Sequence, residues 1–159
     1  DLTSGVTFII GYKASANSGV IVPLRSDGCN ATTTKNGMLW SGASAGESTN
    51  GTIDMSNLTT SSSYEVTISS STTTSGAINI QMADGKYIGN SGSKNTAKLY
   101  ATASVNTDYT PTIGDNNVVT LTSPKEVSET YTTLQYNSGN PRFANYGGTQ
   151  KNVVIYKKK

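Results

Sequence analysis

The chain has 159 residues, enough for one domain with a substantial core. Only 14% of them are charged and the net charge is +2, which argues against charge-driven disorder and against a broad field for sequence-independent nucleic-acid binding. There is no histidine, so the commonest general base, the commonest zinc ligand and every Ser-His-Asp or Cys-His arrangement are excluded.

Along the chain, apolar residues come in short runs of period two, with no sustained helical periodicity. Tyr64, Val66 and Ile68 alternate with Glu65 and Thr67. Ile78, Ile80 and Met82 alternate with Asn79 and Gln81, and Val119 and Leu121 with Thr120 and Thr122. Such strands turn one face to a core and one to water. Twelve short strands are expected, at 6–12, 20–24, 38–41, 64–68, 77–82, 86–89, 97–101, 109–113, 118–122, 133–136, 142–146 and 153–156. Turn residues separate them, and Asp84-Gly85 is a strong hairpin signal. The stretch 42–63 reads as a long polar loop.

The twelve strands fall into three sets of four, over about 5–68, 76–113 and 116–157. Two closing strands share Tyr-x-x-Thr-Ile, at Tyr64–Ile68 and Tyr109–Ile113. The expected architecture is all-β, a β-trefoil-like barrel of three four-strand repeats in a single domain, with an antiparallel β-sandwich as the alternative.

Two resemblances bear on this. Ala83-Asp84-Gly85-Lys86-Tyr87-Ile88-Gly89-Asn90 resembles the "dGkYLg" hairpin of ricin B-like trefoil modules, which implies carbohydrate binding. The Gln-x-Trp signature of that family is absent here. The stretch Leu134-Gln135-Tyr136-Asn137-Ser138-Gly139-Asn140-Pro141-Arg142-Phe143-Ala144-Asn145-Tyr146, continuing through Gly147-Gly148-Thr149-Gln150 to Tyr156, resembles the closing module of secreted and surface proteins of gut Bacteroidetes. It implies an accessory β-module.

Chemistry of the chain's own is not expected. Most acids, including Asp84 and Asp115, sit beside Gly, Asn or Ser where turns need their side-chain hydrogen bonds. Only Glu65 lies well inside a strand, on its outward face. Cys29 has no histidine to activate it, and as the single cysteine it forms no intrachain disulfide. No calcium loop or phosphate loop is present, so neither metal nor cofactor is expected. No run of 18 apolar residues exists to make a membrane span.

Binding is the remaining class. Sugar sites set an aromatic ring against the apolar face of a pyranose, and Asn, Asp or Arg bond its hydroxyls. Two clusters and one residue meet this description: Asp84, Tyr87 and Asn90; Tyr136, Asn137, Arg142 and Tyr146; and Trp40. The competing reading makes Tyr87, Tyr100, Tyr136 and Tyr156 core or hairpin-capping residues. The function expected is a non-catalytic binding module for a carbohydrate or cell-surface glycan. A structural or protein-interaction domain is the alternative, its partner a surface protein; no nucleic-acid partner is expected. The disulfide-free, neutral polar composition fits an extracellular or cell-surface bacterial setting, as a monomeric domain of a larger protein.

Overall fold

The computed structural model describes residues 1–3, 5–13, 20–24, 45–47, 52–54, 61–139 and 142–158. Among them are thirteen strands: β1 (Thr7–Lys13), β2 (Val20–Pro23), β3 (Ala45–Glu47), β4 (Thr52–Asp54), β5 (Glu65–Ser70), β6 (Ile78–Met82), β7 (Tyr87–Gly89), β8 (Lys98–Tyr100), β9 (Asp108–Ile113), β10 (Val118–Thr122), β11 (Thr133–Asn137), β12 (Arg142–Tyr146) and β13 (Lys151–Lys158). Two 3-10 turns, Ser61–Tyr64 and Val105–Thr107, lead into β5 and β9. The protein is all-β. All thirteen strands join one hydrogen-bonded sheet, not two.

Six strands pair in a cycle. β1 pairs with β13, β13 with β10, β10 with β9, β9 with β6, β6 with β5, and β5 returns to β1, each antiparallel. Each of these strands therefore has a neighbour on both sides, which removes the exposed edge that would invite aggregation. The hairpins β7–β8 and β11–β12 continue the sheet beyond this cycle. Alternate residues of all six cyclic strands fill the interior: Phe8 and Ile10, Val66 and Ile68, Ile78 and Ile80, Tyr109, Val119 and Leu121, Val153 and Ile155. Ile88, Ala97, Leu134 and Phe143 complete the same core from the hairpin region. Burying each large aliphatic side chain is worth about 1.5–3 kcal/mol, and no disulfide supplements it.

The strand expected at 38–41 lies outside the described residues. The other eleven are present within two residues of their expected bounds. The stretch expected as a polar loop, 42–63, instead carries β3 and β4. β3 pairs with β2, β4 with β3, and β4 runs parallel to β13. Main-chain hydrogen bonds form these strands whatever the side chains, so Ser- and Gly-rich sequence does not announce them.

Turn chemistry explains the connections. In the β6–β7 hairpin, Gly85 takes φ 83° and donates its N–H to the Met82 carbonyl at 2.9 Å. Asp84 Oδ1 accepts from the Lys86 N–H at 3.0 Å. Asn116 and Asn117 both hold positive φ in the turn between β9 and β10, a conformation Asn tolerates better than most residues.

Two buried asparagines tie the sheet together, and one of them, Asn79, lies where period-two reading expects water. Asn79 is buried: its Nδ2 donates to the Thr107 carbonyl at 3.2 Å and to Asp108 Oδ1 at 2.7 Å. Asn145 donates from Nδ2 to the Thr96 carbonyl at 2.9 Å and accepts the Tyr109 hydroxyl at 2.9 Å. Burial holds the Tyr109 phenol well above its ordinary value; the Asn145 hydrogen bond opposes this shift and the nearby Tyr100 adds to it.

Gly89 fits because it has no side chain. A Cβ there would lie 2.5 Å from the Asn106 carbonyl oxygen and 2.8 Å from the Tyr100 ring. Gly89→Ala should therefore lower stability by about 1–3 kcal/mol, read as a drop in urea midpoint at unchanged m-value. Tyr109 gives a pH test. Its folded-state pKa is raised, so its contribution is complete below the unfolded phenol value near pH 10 and is lost as pH rises above it. Urea unfolding between about pH 9 and 11.5 should show stability falling more steeply in the native chain than in Tyr109→Phe, by up to about 1.4 kcal/mol per pH unit. Equal slopes would remove the buried phenol from the account.

Candidate functional site

The structure separates the residues of the first expected cluster. Asp84 is exposed, with one carboxylate oxygen engaged by its own turn. Tyr87 is half-buried on the outward face of β7, opposite Gln81 on one side and Tyr100 on the other. Asn90, expected from the sequence as a sugar ligand, is fully buried. Its Nδ2 donates to Ser123 Oγ and to the Tyr131 carbonyl, each at 2.7 Å, and its Oδ1 accepts from the Gly92 N–H at 2.8 Å. The side chain is saturated by the protein and has nothing left to offer a ligand.

The second cluster is split by strand alternation. Tyr136 turns inward, is 5% exposed, and stacks on Tyr12 with ring centroids 4.5 Å apart. Phe143 tilts against its other side at 4.9 Å. Asn137 and Arg142 are directly opposed across β11 and β12, on the other face from Tyr136. Arg142 Nε donates to the Tyr146 hydroxyl at 3.3 Å. Tyr146 itself is 4% exposed and packs with Ala144 in a small satellite cluster. The rings of Tyr136 and Tyr146, expected from the sequence as binding platforms, are thus both buried among other side chains. Asn137 and Arg142 remain half-buried, and Asn137 Oδ1 accepts from the Gly139 N–H at 3.0 Å. Trp40 lies outside the described residues.

A different surface emerges from the register. Thr7 opposes Thr67, Thr67 opposes Gln81, Gln81 opposes Tyr87, and Tyr87 opposes Tyr100. Directly opposed residues share a face, so these five side chains form one transverse row over β1, β5, β6, β7 and β8. Tyr87 and Tyr100 are both half-buried. The Tyr100 hydroxyl donates to the Asn90 carbonyl at 3.2 Å, and burial raises its phenol pKa. At the other end of the row lies a cleft of about 330 Å³, lined by Thr7, Glu65, Thr67, Gln81, Met82, Ala83 and Gly85. That volume is at the lower end of the roughly 300–1,000 Å³ usual for small-molecule sites. Glu65 forms an ion pair with Lys158 beside it. Gln81 donates from Nε2 to the Gly85 carbonyl at 2.9 Å, so the turn holds its amide in place.

The row thus offers aromatic rings at one end and hydroxyl, amide and carboxylate groups at the other. Alternation had placed Glu65, Thr67 and Gln81 outward, and the Tyr87 ring was a candidate. Their union with Thr7 depends on strand pairings that no local pattern encodes. Among the described residues, no three His, Cys, Asp or Glu side chains gather to hold a metal ion, and no helix is long and apolar enough to cross a membrane.

The class defined so far is an all-β protein with a cyclic six-strand pairing and an outward polar-aromatic row. Comparison with known proteins gives it structural company. No protein-family model and no curated protein sequence matches the chain. Among solved structures it is similar to SeviL bound to an asialo-GM1 saccharide, with TM-score 0.53 and 11% identity over 97% of this chain and 98% of that one. It is also similar to part of a mosquitocidal holotoxin, with TM-score 0.61 and 14% identity, covering 98% of this chain and 18% of the toxin chain. At these identities the likeness is one of fold. The resemblance of the C-terminal stretch to Bacteroidetes closing modules finds no counterpart in these matches.

The two acid-amide candidates of the first cluster separate by experiment. Asn90→Ala leaves buried partners unsatisfied and should destabilise the protein by about 2–3 kcal/mol, whereas exposed Asp84→Ala should cost under about 1 kcal/mol. Thermal or urea unfolding of the two variants checks this; equal effects would contradict the buried role of Asn90.

Proposed function

We propose that this chain is a lectin-like, non-catalytic binding module of β-trefoil type, that its ligand is a carbohydrate, and that it serves as an accessory to a secreted or cell-surface bacterial protein. The observation that carries the reading is the outward pair Tyr87 and Tyr100, opposed across β7 and β8 and continued by Gln81 and Thr67. Rings beside fixed hydrogen-bonding groups are what a pyranose requires: an apolar face for its C–H bonds and polar partners for its hydroxyls.

The fold supports this. The cyclic pairing uses the first and last strand of each proposed repeat, β1 with β5, β6 with β9, and β10 with β13, while β7–β8 and β11–β12 are the inner hairpins of the second and third. Tyr64 and Tyr109, the paired positions of the Tyr-x-x-Thr-Ile motif, are both buried. One structure of similar fold is a saccharide complex, and the other contains such a unit as a small part of a long chain. The first fits a sugar-binding fold and the second a module within a longer chain. The alternative of a protein-interaction domain has less behind it. Among the described residues the exposed large apolar side chains are Val6 and Ile113 alone, short of a broad apolar docking face.

A glycan array followed by calorimetry on the intact chain tests the reading. A saturable ligand is expected, with affinity falling about tenfold or more in Tyr87→Ala while the circular dichroism and unfolding midpoint stay close to the native values. Absence of binding across a broad panel of neutral and charged glycans would overturn it.

A further inference from the structure

We infer that the cleft between β1, β5 and the β6–β7 turn is a subsite for one neutral, hydroxyl-rich sugar ring, and that Glu65 is the residue that selects against anionic sugars. The inference rests on the carbohydrate reading above and assigns it a location and a ligand class. The cleft's side chains form an inventory of hydrogen-bond acceptors. Glu65 is a carboxylate, with one oxygen engaged by Lys158 and a second that takes part in no other described bond. Gln81 uses one N–H of its Nε2 on the Gly85 carbonyl, and its amide oxygen is a further acceptor. Thr7 and Thr67 add hydroxyls, which both donate and accept.

This inventory decides the chemistry. Among the described residues no cationic side chain lines the cleft; Lys158 stands outside it and is paired to Glu65. A uronate, sialate, sulfate or phosphate would meet a carboxylate whose cationic partner, Lys158, is already engaged by it. A free cation would compete with Lys158 for the same carboxylate. A neutral pyranose brings hydroxyl donors to Glu65 and Gln81, and the 330 Å³ volume suits a single ring. Hydrogen bonds to a charged acceptor are the stronger kind, which makes Glu65 the selective residue. Lys158 is a positioning residue: its ammonium, at the end of β13, holds the Glu65 carboxylate by an ion pair.

The test is a titration of the ¹⁵N-labelled intact chain with methyl glycosides of galactose, glucose, mannose and N-acetylgalactosamine. It is repeated with methyl glucuronide, sialyllactose and methyl glucosaminide. Amide shifts are expected at Thr7, Glu65, Thr67, Gln81 and Gly85, saturating for at least one neutral glycoside and about tenfold weaker or absent for the anionic sugars. Glu65→Gln should weaken the neutral ligand about tenfold and narrow its margin over the anionic ones. Thr67→Lys, at an exposed strand position, should fill the cleft and abolish the shifts while leaving the rest of the spectrum native. Binding that survives both variants, with shifts confined to the Tyr87 and Tyr100 hairpin, would overturn the cleft assignment and leave the carbohydrate reading standing. Preference for glucosaminide or for an anionic sugar would overturn the ligand class. No saturable shift with any of these sugars, together with a blank glycan array, would overturn both.

Discussion

The cycle of main-chain hydrogen bonds through β1, β13, β10, β9, β6 and β5 is the constraint on which the rest depends. Once six strands pair on both sides, alternate residues of each face a shared interior, and the residues between turn to the opposite face, where Ile9, Asn79, Val154 and Tyr156 are buried as well. The interior is then filled from all six strands at once, and a single slip of register would invert a whole strand. A chain with 34% apolar residues and a single cysteine can fold on these terms because almost every apolar side chain in the cycle is used.

Polar burial completes what apolar packing leaves open. Asn79, Asn90 and Asn145 each carry an amide into the interior, and each meets backbone carbonyls or hydroxyls from distant segments. Asn90 joins the second hairpin region to Ser123 and Tyr131, and Asn145 joins β12 to the Thr96 and Tyr109 segments. Asparagine suits this task because one short side chain offers both donor and acceptor. The same residue type is common in sugar sites, so composition alone does not separate the two uses. Burial does, and it assigns these three to the scaffold.

In the proposed function, binding falls to the outward positions of that scaffold. Tyr87 and Tyr100 stay half-buried because the hairpin they belong to lies at the edge of the sheet, with Tyr100 seated over Gly89 and anchored through its hydroxyl. Gln81, Thr67 and Thr7 extend the row to a cleft whose turn is held by Gly85 and Asp84. A rigid strand surface positions ligand-facing groups more firmly than a loop does. The turn that the sequence marked as a hairpin thus also forms one wall of the cleft.

Local sequence determined much of this protein. Period-two alternation placed Val66, Ile68, Ile80, Met82, Val119 and Leu121 inside, and Asp84-Gly85 fixed its hairpin, because side-chain direction and turn conformation are properties of neighbouring residues. What alternation could not supply was the pairing partner of each strand. β3 and β4 are held by backbone bonds in a stretch whose side chains read as loop, and Asn79 is buried because Thr107 and Asp108 lie across from it. The expected aromatic clusters came apart for the same reason: adjacent residues such as Tyr136 and Asn137 point to opposite faces, while Thr7, Thr67, Gln81, Tyr87 and Tyr100 meet across five strands. The composition and the hairpins are written in the sequence locally; the site is not, because long-range register, not proximity along the chain, decides which side chains share a surface.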